Sequence, residues 1–82
     1  MSTEILFRHA NKTHSITRMR VVDEKPHEIS VVEALINSRD YVFFEAPHGV
    51  SPQDLIELAV ASWVEEVYDD GTEFRFIEGG SN

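Results

Sequence analysis

The sequence predicts a small α+β fold in ββαβαβ order, a mostly antiparallel sheet with two helices packed on one face. Three observations carry that expectation. Two short runs rich in β-branched and aromatic residues, Glu4 to Ala10 and Ser15 to Asp23, flank a polar turn. Ser51-Pro52 opens a stretch whose apolar residues recur at helical spacing. Thr72 to Ile77 then places Phe74 and Phe76 on one face and Glu73 and Arg75 on the other, the period of a half-buried strand.

In chain order, Glu4 to Ala10 is the first expected strand and Asn11-Lys12-Thr13 the turn after it. Ser15 to Asp23 is the second strand. With Met19 and Val21 facing the core, Arg18 and Arg20 share the open face. Pro26 ends this strand because it has no N–H to give to a ladder. Ser30 and Glu33 match the capping-box spacing, in which serine and glutamate satisfy free backbone N–H groups at a helix start. Val32, Leu35 and Ile36 follow at helical spacing, so a short helix from Val31 to about Ser38 is expected. The valine pair makes a strand the competing reading. Tyr41 to Glu45 is a strand whose consecutive apolar residues suggest cover on both faces.

Ala46-Pro47-His48-Gly49 is a turn. Ser51 at N-cap, Pro52 at N1 and acid in the first turn start the second helix, which runs to about Tyr68. Its apolar face holds Ile56, Val60, Trp63, Val64 and Val67, and Trp63 and the phenylalanines are assigned to the core. Asp69-Asp70-Gly71 stops it, Gly71 suiting the left-handed cap. Residues 1–78 are thus expected to form one α+β domain, with Gly79-Gly80-Ser81-Asn82 a flexible tail.

Eighty-two residues at 41% apolar content leave room for one modest core. The absence of cysteine excludes disulfides and thiolate zinc sites and fits a reducing compartment. The N-terminus has no signal-peptide pattern, and no apolar run exceeds about four residues, too short for a membrane span. A soluble cytoplasmic protein is the expectation.

Charge is divided by position. Met1 to Lys25 holds five basic and three acidic residues, whereas Pro26 to Asn82 holds Arg39 and Arg75 against twelve carboxylates. With a net charge of −8, the chain repels nucleic acid and membrane surfaces and attracts basic ones. On a helical projection Asp54, Glu57, Ala61 and Glu65 fall on one outward stripe. Glu66 lies to one side, and Asp69, Asp70 and Glu73 extend the acidity beyond the helix. Glu57 and Glu65 stand about 12 Å apart along the axis, a spacing that approximates successive phosphates.

His9, His14, His27 and His48 match no metal-ligand spacing. His14-Ser15 is an adjacency without triad geometry, and paired acids need a cleft to separate their pKa values. No enzyme activity, metal or cofactor is expected. Arg8, Lys12, Arg18 and Arg20 are a weak nucleic-acid footprint on so acidic a chain.

A hairpin, a helix, a strand and a C-terminal strand ending in Gly79-Gly80 resemble the outline of the ubiquitin-like β-grasp. That resemblance implies a carrier working through its C-terminus. In bulk character the chain also resembles small phage-encoded inhibitors of DNA-binding machinery, including anti-CRISPR proteins. The expected partner is therefore a protein with a basic, nucleic-acid-binding groove, occupied by Asp54, Glu57, Glu65, Glu66, Asp69, Asp70 and Glu73. An antitoxin or immunity protein would use the same surface.

Overall fold

Four strands precede any helix in the computed structural model, which describes residues 5–68 and 73–77. They are β1 (Ile5–His9), β2 (Lys12–Lys25), β3 (Ile29–Ile36) and β4 (Asp40–Pro47); α1 (Pro52–Val67) follows, then β5 (Arg75–Phe76). The fold is α+β, but the order is ββββαβ, with one helix among the described residues where two were expected. The hairpin–helix–strand outline of a β-grasp disappears with the missing helix.

Val31 to Ser38 is the segment misread as helical. Val32, Ala34 and Ile36 are buried while Val31, Glu33 and Leu35 are half-exposed, which is strand periodicity. β3 pairs with β2 on one side and β4 on the other, so its backbone is satisfied by long-range ladders. Those ladders and the β-branched valines outweigh a local capping signal. The supposed capping box is dismantled: Ser30 Oγ donates to the Glu24 carboxylate at 3.1 Å, and Glu33 accepts from Arg20 Nε at 3.0 Å.

The strands form one antiparallel sheet in the order β4-β3-β2-β1-β5. β4 and β5 are its edges, and α1 crosses one face between them, making its main contacts with β4. Three consecutive hairpins build the first four strands. Each turns on two adjacent left-handed residues, Ala10-Asn11, His27-Glu28 and Asn37-Ser38. Paired left-handed residues match the right-handed twist of the flanking strands. The first of these turns lies one residue earlier than the expected Asn11-Lys12-Thr13.

The face under α1 is the core. Phe7, Ile16, Val32, Ile36 and Val42 from the sheet meet Ala59, Val60, Trp63 and Val64 from the helix. Each large apolar side chain so buried contributes about 1.5–3 kcal/mol. Trp63 is 1% exposed and stands edge-on to Phe7 at 5.6 Å. Phe74 and Phe76 pack against Phe7 from the far edge, as the alternation around Arg75 predicts. Val67, expected on the apolar face, is exposed at the helix end.

The other face of the sheet carries no helix. A register shift between Ile16 and Arg18 turns both Ile16 and Met19 to the core while Arg18 and Arg20 point outward, opposite Leu35 and Glu33. Val21, expected in the core, pairs with Val32 but is 54% exposed, and a second shift follows it before Asp23. β4 alternates cleanly, with Val42, Phe44 and Ala46 buried and Tyr41, Phe43 and Glu45 exposed. The expectation of cover on both faces fails there, and with it the assignment of every phenylalanine to the core, since Phe43 is 54% exposed. The proposed helix stop at Asp69-Asp70-Gly71 and the tail at 79–82 lie outside the described residues.

Candidate functional site

Helix α1 sets out the candidate surface. Ser51 caps it, its Oγ accepting the Asp54 N–H at 3.1 Å while its carbonyl accepts the Leu55 N–H at 2.9 Å. Pro52 at the first position loses no hydrogen bond, because that N–H has no partner inside a helix. Burial of Ala59, Val60, Trp63 and Val64 fixes the rotation of the helix about its axis. Asp54, Glu57, Leu58, Ala61 and Glu65 are consequently exposed along one outward stripe, at helical spacings of three and four residues. Glu66 is exposed on the flank of that stripe.

None of α1's sixteen residues is lysine or arginine. Among the described residues, ion pairs join Arg20 to Glu33, Lys25 to Glu45 and Arg39 to Asp40, and His48 hydrogen-bonds Glu24 at 2.9 Å, so none neutralises the stripe. Asp54 in the first turn is favoured by the helix dipole, whereas Glu65 and Glu66 near the C-terminal end oppose it. Ordinary solvated surfaces intersperse both signs. Here one sign covers a helix face whose centre is Leu58 and Ala61, small and apolar enough for close approach. Ala61 falls on the stripe in the helical projection, whereas Leu58 is absent from the sequence expectation, although an apolar residue on the polar arc was the available signal.

Glu73 does not join this stripe. It lies with Arg8, Asn11 and Arg75 around a shallow cavity of about 280 Å³ near the β1–β2 turn. Arg8 and Arg75 are direct cross-strand neighbours there, and Arg8 also donates to Thr13 Oγ1 at 2.8 Å. Asp69 and Asp70 fall outside the described residues. Of the seven predicted contact residues, the structure therefore brings together Asp54, Glu57 and Glu65, with Glu66 beside them.

Beneath the helix lies a polar feature that residue spacing did not reveal. His9 and His14 are buried, the His9 ring edge-on and the His14 ring tilted against Trp63. Asn37 Nδ2 donates to His14 Nδ1 at 3.1 Å, which leaves His14 Nε2–H to donate to the His9 carbonyl at 3.3 Å. Both ring nitrogens are thus used by one neutral tautomer. Burial, the largest influence, holds the His14 pKa below its ordinary value, helped by the neighbouring His9, Lys12 and Arg8 charges. His9 Nδ1–H donates to the Glu73 carbonyl at 3.2 Å, while its Nε2 has no hydrogen-bond partner among the described residues. The His9 ring instead abuts Tyr68 edge-on at 4.4 Å. This network is a fastening between β1, β2 and the chain after the helix; among the described residues no cluster of three or more metal-ligating side chains occurs.

Four of the chain's seven basic residues, Arg8, Arg18, Arg20 and Arg75, lie on the opposite, uncovered face of the sheet. Charge is therefore segregated by layer, acidic over the helix and mixed with arginine on the sheet. No described helix is long and apolar enough to cross a membrane. No family model matches this chain, and no curated protein or solved structure matches it significantly.

Proposed function

We propose that this chain is a small acidic inhibitor that seats the outer stripe of α1 in a basic, nucleic-acid-binding groove of another protein. The observation that carries the reading is the unneutralised helix face: Asp54, Glu57 and Glu65 in line, no basic residue on the helix, and no ion pair to any of them among the described residues. Glu57 and Glu65 are separated by about 12 Å along the axis. Carboxylates so spaced replace phosphates against the lysines and arginines of the groove, while Leu58 and Ala61 fill the centre of the contact. Desolvated charge pairs at such a contact give specificity and rapid association more than raw affinity.

The test uses the wild-type chain and a Glu57→Lys/Glu65→Lys variant as baits in lysate of the source cells. The wild type is expected to retain a nucleic-acid-binding protein, to release it when duplex DNA is added, and to release it steeply with salt. The reversal variant is expected to retain none of it. Equal capture by the two baits, or capture indifferent to DNA, refutes the reading.

A further inference from the structure

The outer edge of β4 carries the strongest unassigned feature. Hydrogen bonds from His48 N to Glu28 O at 2.9 Å and from Arg39 N to Ile36 O at 3.0 Å bracket the β3–β4 ladder. They fix its phase: the even-numbered residues of β4 bond to β3, in an unbroken register from Ile29↔Pro47 to Ile36↔Asp40. Tyr41, Phe43 and Glu45 therefore direct their N–H and C=O groups away from the sheet. Their side chains all stand on the uncovered face, where Tyr41 is 51% and Phe43 54% exposed.

Natural edge strands are blunted by bulges, lysines, prolines or brevity. This one is eight residues long, without a register shift or a lysine, and its proline stands at the last position. The opposite edge, β5, is two residues long.

We infer that β4 pairs antiparallel with β4 of a second copy of this chain, about a two-fold axis at Phe43. The outward backbone groups belong to residues 41, 43 and 45, and are centred on Phe43. That axis is the one that uses all of them: Phe43 exchanges both hydrogen bonds with its own copy, and Tyr41 exchanges both with Glu45 of the second copy. Axes at residues 42 or 44 leave one outward residue unpaired.

Side chains agree with the register. Phe43 stacks on Phe43, and the Tyr41 hydroxyl faces the Glu45 carboxylate. Arg39, 76% exposed, lies diagonal to that same carboxylate. The acidic stripe of α1 faces away from the sheet and stays open. Two chains of charge −8 repel at long range, so added salt strengthens this association, the reverse of its effect on a basic partner.

The chain has no cysteine, which makes single thiols informative. Phe43→Cys is expected to form a disulfide-linked dimer under mild oxidation, since directly paired residues lie at about 5.5 Å between Cα atoms, within disulfide range. Tyr41→Cys and Glu45→Cys are each expected to remain uncrosslinked alone and to crosslink when mixed. By sedimentation equilibrium the wild type dimerises with concentration, and Phe43→Lys weakens association about tenfold or more by opposing two like charges. Its melting stays near that of the wild type. A wild type that is monomeric at every accessible concentration overturns the inference. So does unchanged association of Phe43→Lys, a crosslinking pattern that favours other pairs, or a monomer that binds a single-stranded oligonucleotide through Tyr41 and Phe43 instead.

Discussion

Truncating Trp63 to alanine should remove most of the stability of this domain. The indole is 1% exposed and packs among four ring neighbours, with ring centres at 4.8 Å from His14, 5.5 Å from Tyr68, 5.6 Å from Phe7 and 6.4 Å from His9. Its Nε1–H donates to Asp40 Oδ2 at 3.1 Å, tying α1 to the start of β4. Deleting a buried ring of this size costs about 3–5 kcal/mol, and the lost hydrogen bond about 1 more. A chain of 82 residues has a total stability of roughly 4–12 kcal/mol. Trp63→Ala should therefore be largely unfolded at room temperature or melt tens of degrees lower, at about 4–8 °C per kcal/mol. Trp63→Phe keeps a ring in the space but not the donor, and should lose about 1–2 kcal/mol. Urea unfolding followed by far-ultraviolet circular dichroism, which does not need the missing fluorophore, measures both. An alanine variant with the wild-type midpoint and slope would show that the helix does not rest on this residue.

The other predictions concern charge and the buried polar network. Reversal of Glu57 and Glu65 to lysine should leave the melting temperature nearly unchanged, because exposed charges contribute little to stability; a large loss would mean that these residues serve the fold. His14 has a folded pKa below its unfolded value of about 6.5, so its neutral form is favoured by folding. Its contribution is complete above about pH 6.5 and is lost as pH falls through the lower folded value. Urea midpoints should thus drop between pH 7 and pH 5 for the wild type and drop less for His14→Gln, whose amide has a donor and an acceptor but takes up no proton. Parallel pH profiles would remove His14 from the acid response. Asn37→Gly keeps the left-handed turn, with its φ of 58°, but deletes the bonds from Asn37 Nδ2 to His14 and from Ser15 N–H to Asn37 Oδ1. A loss of about 1–3 kcal/mol is expected, and an unchanged midpoint would count against the network.

Local chemistry reached some elements and missed others for identifiable reasons. Ser51-Pro52 announces α1 because cap, proline and acid all act within four residues of chain. The aromatic alternation of Phe74 and Phe76 likewise reports a face directly. β3 ranked only as the competing reading, on its valine pair, because Ser30, Glu33, Leu35 and Ile36 satisfy a helical template locally, whereas the ladders that decide the matter come from β2 and β4. The turns at Ala10-Asn11 and His27-Glu28 contain no glycine, so the usual mark of a left-handed pair was missing. Left-handed backbone costs non-glycine residues about 1–2 kcal/mol each, a cost that the long-range ladders offset and that local sequence does not display. Tyr-Val-Phe-Phe in β4 read as buried on both sides because hydrophobicity alone cannot tell a covered face from an open one.

The same distinction governs the surfaces. Asp54, Glu57 and Glu65 were legible because helical periodicity projects them onto one arc, and the structure keeps them there. Glu73 left the group because the chain turns back along β1 and delivers it beside Arg8 and Arg75. What sequence could not supply was the partition of charge between layers, which requires knowing that β1 to β4 form a single sheet with one face under α1. That partition makes ionic strength diagnostic. Contact through the helix stripe joins opposite charges and weakens with salt, whereas contact through β4 joins two acidic chains and strengthens with it. A titration of each association against salt therefore assigns it to one surface without mutation. Phe43→Lys and the Glu57→Lys/Glu65→Lys pair then check that assignment from opposite sides of the molecule.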